Sequence, residues 1–326
     1  MKKYSIYNQL KAYFCCLSLL ATGSLLFSSC GSDKVEASQG EEDYWLHPYG
    51  ASSADQTLQT QFFQKNGIYL LFNDTIRKER TSTNPDGSPY YEYETANLSY
   101  IMTGISNNYT EVFEFDYLQT DADKKAATQF VQDKILPHLS GGLLPFSLLL
   151  VDKITFNVEN SSTYGQIQKQ TPMVYAGFRC TAIVTKGVAE MGDAAQTTYC
   201  NDILKAIVNS KLSALPPNAF DEFYSYSNAY YSTYQMYEAA EAFFVDHPTP
   251  MSIGLLDNGV SYYRWSPTGS LIMYNIAAKD YDLQDYTNAV FTYSDTEFEA
   301  KYGEYPICMR KFQLLKEIYQ SLGLKF

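Results

Sequence analysis

Histidine is scarce in this chain: three residues in 326, at His47, His138 and His247. No two share a helical turn, so the paired imidazoles of an H-E-x-x-H zinc helix are excluded. His47 and His247 precede Pro and read as loop residues. Cations are also in short supply. Lys and Arg total 24 against 36 acids, a net charge of −12. No basic run occurs, which excludes nucleic acid as a partner, because its phosphates must be neutralised by Lys and Arg. No P-loop, G-x-G-x-x-G or G-x-S-x-G is present, so phosphate cradles and the nucleophile elbow find no support. Cysteine is sparse as well. Cys15, Cys16 and Cys30 lie at the start, leaving Cys180, Cys200 and Cys308. At most one disulfide can form among those three, so stability must come from a packed core.

What is there begins with the first thirty residues. Lys2, Lys3 and Lys11 give a basic start, an apolar stretch runs from Tyr13 to Phe27, and Ser28-Ser29-Cys30 follows. That order is a secretory signal, too short in its apolar part for a comfortable membrane span. A cysteine directly after two small residues resembles a bacterial lipobox, with Phe27 where Leu is more usual. It implies cleavage before Cys30 and lipidation of its thiol. Residues 1–29 are then the signal, and 30–43, with Glu41-Glu42-Asp43, a polar tether with too little apolar area to order itself. The first 29 residues hold three Lys and no acid, so their removal takes the net charge from −12 to −15. The acidic stretch after the lipidated cysteine resembles the surface-export signal of Bacteroidetes lipoproteins. The expected address is the outer membrane, on the cell surface, with the membrane as partner through the lipid anchor.

The remaining residues, 44–326, are expected to form one domain of class α+β. An N-terminal α/β part spans about 44–190 and a helical part about 191–326. Strands are predicted at 68–72, 91–94, 98–102, 111–115 and 146–151, with one or two over 173–184. Residues 81–89, with two Pro and one Gly, read as an exposed loop. Asp121 and Asp123 cap a predicted helix over about 124–139. A second helix, 197–212, carries Cys200, Ile203, Leu204, Ile207 and Val208 on one stripe. Pro216-Pro217 breaks it. A long helix is predicted over 219–245, then 282–301 and 306–322, the last starting at Pro306.

Tyrosine is abundant, with 30 residues. Tyr226, Tyr230, Tyr234 and Tyr237 recur at helical spacing within 219–245 and predict one Tyr face. Such a face either stacks on a glycan or partner or packs into the core, and packing is the commoner use. Asp221-Glu222 and Glu238/Glu241 read as a solvated acidic face. A glycosidase carboxylate pair is set by space and stays open.

Several segments together resemble a family. They are the lipobox, Phe62-Phe63-Gln64-Lys65-Asn66-Gly67-Ile68-Tyr69-Leu70-Leu71-Phe72, Leu148-Leu149-Leu150-Val151-Asp152-Lys153-Ile154, Asp282-Leu283-Gln284-Asp285-Tyr286 and Lys311 to Tyr319. The chain is similar to the substrate-import-associated zinc metallopeptidase lipoproteins of Bacteroidetes, which are encoded beside outer-membrane glycan-uptake pairs. The resemblance implies a zincin-like fold and H-E-x-x-H near the start of the 197–212 helix. The matching slot holds Asn201, Asp202 and Lys205, with Asp285 at a third-ligand position. Asn is a feeble zinc ligand and Lys is a cation that repels the metal. The expectation is therefore a degenerate member with no catalytic residues, no metal and no cofactor, binding nutrients beside a glycan-uptake complex. The alternatives are an active metallohydrolase with atypical ligands, and a surface adhesin or protein-interaction module.

Overall fold

The computed structural model describes residues 43–96, 98, 109–160, 166–177, 179–231, 234–237, 249–256, 260–264, 272–276 and 278–326. The signal, Cys30 and the tether up to residue 42 lie outside the described residues, as do His247, Glu238, Glu241 and most of the strand predicted at 98–102.

Tyr44–Phe326 is one unit, of class α+β, and its spine is a single long strand. In chain order the elements begin with helix α1 (Ser53–Asn66), strand β1 (Tyr69–Leu71), the pair β2 (Thr75–Thr83) and β3 (Pro89–Thr95), and β4 (Tyr109–Tyr117). Helix α2 (Asp121–Phe130) continues through a π turn and a 3-10 turn to His138. Then come β5 (Ser147–Asn160), β6 (Gln166–Gln170), β7 (Val174–Ala176), β8 (Cys180–Val184) and helix α3 (Asp193–Lys211). The rest holds α4 (Asp221–Ser225), the strands β9 (Tyr234–Tyr237), β10 (Val260–Arg264) and β11 (Ile272–Ile276), and helices α5 (Lys279–Thr292), α6 (Asp295–Tyr302) and α7 (Pro306–Leu322).

β5 explains the mixed sheet. Its first residues are a continuous apolar run, the pattern of a strand covered on both faces. Ser147–Val151 pair in parallel with β8, and Ser147–Leu149 with β1. From Val151 onward apolar and polar residues alternate, and there the strand pairs antiparallel with β4 and β6. β7 closes the far edge antiparallel to β8. Alternation sorts the core into two layers. Leu70, Leu148, Leu150 and Ile183 face the helices, together with Ile203, Ile207, Phe223, Tyr286 and Leu315. Leu71, Leu149, Val151, Cys180 and Ala182 face the other way, against Ile76, Ala96 and Leu98.

The helix ends are chemically marked. Ser52 and Asp55 form a capping box at α1, and Gly67 ends it in the left-handed region at φ 67°. Pro306 opens α7 and Gly323 closes it at φ 115°. After Gly323 the chain zips onto the turn after α2: Lys325 N–H donates to the His138 carbonyl (2.9 Å), and Leu324 bridges Leu139.

Four expectations need correction. The part over about 191–326 is not helical throughout, since β9, β10 and β11 form a three-stranded antiparallel sheet within it. Residues 81–89 are not all loop, since β2 and β3 run to Thr83 and from Pro89, leaving a tight turn around Gly87. The helix predicted over 282–301 is two helices. Ser294 breaks it, because its side chain and Glu297 form a capping box that starts α6. The long helix predicted over 219–245 is not continuous among the described residues. α4 stops at Ser225, turns follow, and Tyr234–Tyr237 is a strand paired with β11.

Candidate functional site

Helix α3 presents the slot. Its predicted stripe is buried as a whole: Cys200, Ile203, Leu204, Ile207 and Val208. With those five side chains in the core, Asn201, Asp202 and Lys205 are left at the margin, half-buried. The Lys205 ammonium lies 3.1 Å from the Asp202 carboxylate and donates to Asn288 Oδ1 of α5 at 3.4 Å.

Three of the four slot residues line different but adjoining clefts, which share Asn288, Thr292 and Tyr293 between them. Asn201 lines a cleft of about 210 Å³ with His138, Phe291, Tyr293 and Phe326. Lys205 lines another, about 440 Å³, with Asn209, Asp280, Gln284 and Asn288. Asp285 opens on a third, about 190 Å³, beside Lys301 and Tyr302. Burial, and then the nearby Asp282 charge, raise the Asp285 carboxyl above its ordinary range. Among the described residues, no three His, Cys, Asp or Glu side chains come together as a metal ion requires.

The other sequence candidates are also dispersed. His138 Nδ1 donates to the Lys325 carbonyl at 2.8 Å, a structural tie. His47 is half-buried in the segment before α1. Cys180, Cys200 and Cys308 are buried, and none forms a disulfide among the described residues. Burial pushes the thiols of Cys180 and Cys200 up to about 12 and about 11, away from the thiolate a nucleophile needs. Glu222 is exposed and pairs with Arg310 at 2.8 Å. The four tyrosines do not lie along one helix. Tyr226 is exposed, Tyr230 packs beside Ile253 and Leu255, and Tyr234 and Tyr237 stand at opposite ends of β9. The spacing matched a helix, but the backbone there is turn and strand.

What sequence reasoning missed is a charged cluster under the helices. Lys311 of α7 is wholly buried and Asp282 of α5 nearly so. Lys311 Nζ donates to Asp282 Oδ2 at 2.6 Å, to the Gly254 carbonyl at 2.8 Å and to Ser227 Oγ at 3.1 Å. All three ammonium protons are thereby used. Tyr231 donates to the same Oδ2 at 2.5 Å. The rings of Phe223 and Tyr286 stand 4.4 and 4.8 Å from the ammonium. Burial raises the Asp282 carboxyl and lowers the Lys311 ammonium from their usual ranges, and each partner opposes the other's shift. Asp282 Oδ1 has no hydrogen-bond partner among the described residues. The cluster ties α5, α7 and the turns at 227–231 and 254 into one unit. One signal could have found it: Lys311 interrupts the apolar stripe of Cys308, Phe312, Leu315 and Tyr319.

Comparison with protein-family models, with curated proteins and with solved structures finds no significant match.

Proposed function

We propose that this protein is a lipid-anchored lipoprotein of the outer membrane, exposed on the cell surface. Its zincin-like domain does no zinc chemistry and serves as an accessory binder of glycan or peptide in nutrient uptake. The observation that carries the reading is the state of the slot on α3. The helix keeps a complete packing face, while the two positions an H-E-x-x-H helix would give to imidazoles hold Asn201 and Lys205. The Lys205 ammonium pairs with Asp202, the residue in the place of the glutamate base. A cation bonded there opposes a divalent metal. The membrane part of the reading rests on the order basic, apolar, Ser28-Ser29-Cys30. On the strength of that order, attachment is assigned to acyl chains on Cys30; no helix among the described residues is long and apolar enough to cross a membrane.

Two measurements test it. Cys30→Ala should leave an uncleaved precursor or release the protein from membranes. Normal processing and wild-type fractionation of that variant would end the lipid claim. Elemental analysis after dialysis against a weak chelator should find no stoichiometric zinc. One zinc per chain together with peptidase activity would favour the hydrolase alternative. Capture of a host protein with no glycan or peptide binding would favour the adhesin.

A further inference from the structure

Among the described residues, three exposed tyrosines, Tyr90, Tyr91 and Tyr93, lie on the β2–β3 hairpin. Every residue of β3 is exposed, and the two strands form a sheet of their own. A lone two-stranded ribbon is marginal in water, and exposing aromatic rings on it costs solubility. Register sorts the side chains. Lys78 pairs opposite Tyr93 and Arg80 opposite Tyr91, so these four share one face. Arg77, Glu79, Glu92 and Glu94 fall on the other face, where Arg77 lies 3.3 Å from Glu79 and 3.7 Å from Glu94. The acids of the paired strands are thus all on one side, and the tyrosine side carries only cations.

Tyr49, from the segment before α1, completes the tyrosine side. Lys78 Nζ donates to its hydroxyl at 3.3 Å. The same ammonium stands 5.2, 4.4 and 5.4 Å from the ring centroids of Tyr49, Tyr91 and Tyr93. These rings are 49, 38 and 56% exposed. The result is an open cluster of three phenols around one ammonium, with a guanidinium one register step away.

We propose that this face of the hairpin binds an anionic saccharide, a polymer of pyranose rings bearing carboxylate or sulfate. The proposal deepens the accessory-binding reading above and rests on it. Three arguments fix the ligand class. Phenol rings offer flat apolar platforms with a polar rim, which suits the faces of sugar rings. Tyr91 and Tyr93 are two residues apart on one strand face, about 7 Å, so two platforms serve successive rings of a chain. In a protein of net charge −12, a surface bearing Lys78 and Arg80 and no acid is complementary to a negative ligand. A peptide would need pockets to bury anchor side chains, and none of the clefts lined by Asn201, Lys205 or Asp285 includes a hairpin residue.

The test is isothermal titration of the purified full-length protein in detergent. The probes are polygalacturonate (carboxylated), dextran sulfate (sulfated), dextran (neutral) and polyglutamate (an acidic peptide). Binding to one or both anionic polysaccharides is expected, weakening as salt rises, with none to dextran. Tyr91→Ala/Tyr93→Ala and Lys78→Gln/Arg80→Gln should each weaken it tenfold or more, with melting temperatures unchanged. Equal affinity for polyglutamate would overturn the saccharide class. Binding that survives both double variants would overturn the hairpin site while leaving the accessory-binding reading standing. A chain that binds none of the four probes overturns the proposal; if broader glycan and peptide arrays are also blank, the parent reading fails separately.

Discussion

Lys311→Met is the sharpest test of how helices α5 and α7 are held together. The substitution keeps the length of the side chain and removes its charge. Three donors disappear, but two acceptors keep other company. The Gly254 carbonyl still receives the Tyr286 hydroxyl at 3.0 Å, and Ser227 Oγ still donates to the Ile253 carbonyl at 2.7 Å. The loss concentrates on Asp282, left buried and charged with one bond, from Tyr231. Removing one member of a buried pair costs about 3–5 kcal/mol. The retained partners of Gly254 and Ser227, and sulfur–ring contacts from Met to Phe223 and Tyr286, place this variant at the lower end, about 3 kcal/mol. Removing both charges in Lys311→Met/Asp282→Leu should return stability to within about 1–2 kcal/mol of wild type, because no uncompensated charge remains. The sign of the pH effect follows from the carboxyl. Burial already raises Asp282 above 3.8, and without the ammonium only the Tyr231 hydrogen bond still opposes that shift. A raised folded-state value favours the protonated acid on folding, so stability is lost as pH rises and regained as it falls toward 3.8. The deficit of Lys311→Met should therefore shrink between pH 8 and pH 5. Urea melts at both pH values, with unchanged m, measure it. A single variant within 1 kcal/mol of wild type, or a deficit that grows toward acid, would refute the reasoning.

Three further outcomes are expected. Ile207→Ala should cost about 2–4 kcal/mol in denaturant melts, as a buried large-to-small change, while Lys205→Ala should cost about half a kcal/mol or less; equal costs would mean the slot is part of the core. Gly323→Ala should destabilise the fold by about 1–3 kcal/mol, because φ is 115° and a Cβ would meet the Ser140 carbonyl oxygen at 1.9 Å; a thermal melt matching wild type would contradict the tail's close approach to 138–140. Burial opposes the charge of Asp55, yet bonds from Lys124 (2.8 Å) and Ser52 hold its carboxyl below 3.8, so its stabilisation is present above that pH and lost as pH falls through the lowered value. Asp55→Asn should flatten that part of the acid limb of a stability–pH curve, and an unchanged limb would show that the pair carries none of it.

The slot and the buried pair differ in how far each could be read from residue order. Asn201 and Lys205 were legible because helical period fixes neighbours on one helix, and the same period assigned all five core residues of α3. β5 was equally plain at its start, where a run of apolar residues can only be a strand covered on both faces. Pro306 marked the start of α7 for a local steric reason. The Ser294–Glu297 box was also written in the chain, and a periodicity count overran it. α1 was missed because it buries Asp55 and Gln59 beside Phe62, so it shows no clear apolar stripe.

Tertiary structure decided the rest. The Tyr run at 226–237 has helical spacing, but Ser227 and Tyr231 are drawn to Ile253, Lys311 and Asp282 from elsewhere in the chain. Those long-range bonds outweigh a weak local preference. Asp282 and Lys311 carry no mark of each other in sequence and meet only because α5 packs on α7. Asn201, Lys205 and Asp285 each line a different one of three adjoining clefts, an arrangement set by how α3 packs beside α5. Periodicity reports which face of an element is apolar, and so it determined elements with a clear stripe or run, such as α3 and the start of β5, and their core residues. Which faces then meet, and which charges are buried together, depends on packing between distant segments, and that information exists only in the folded chain.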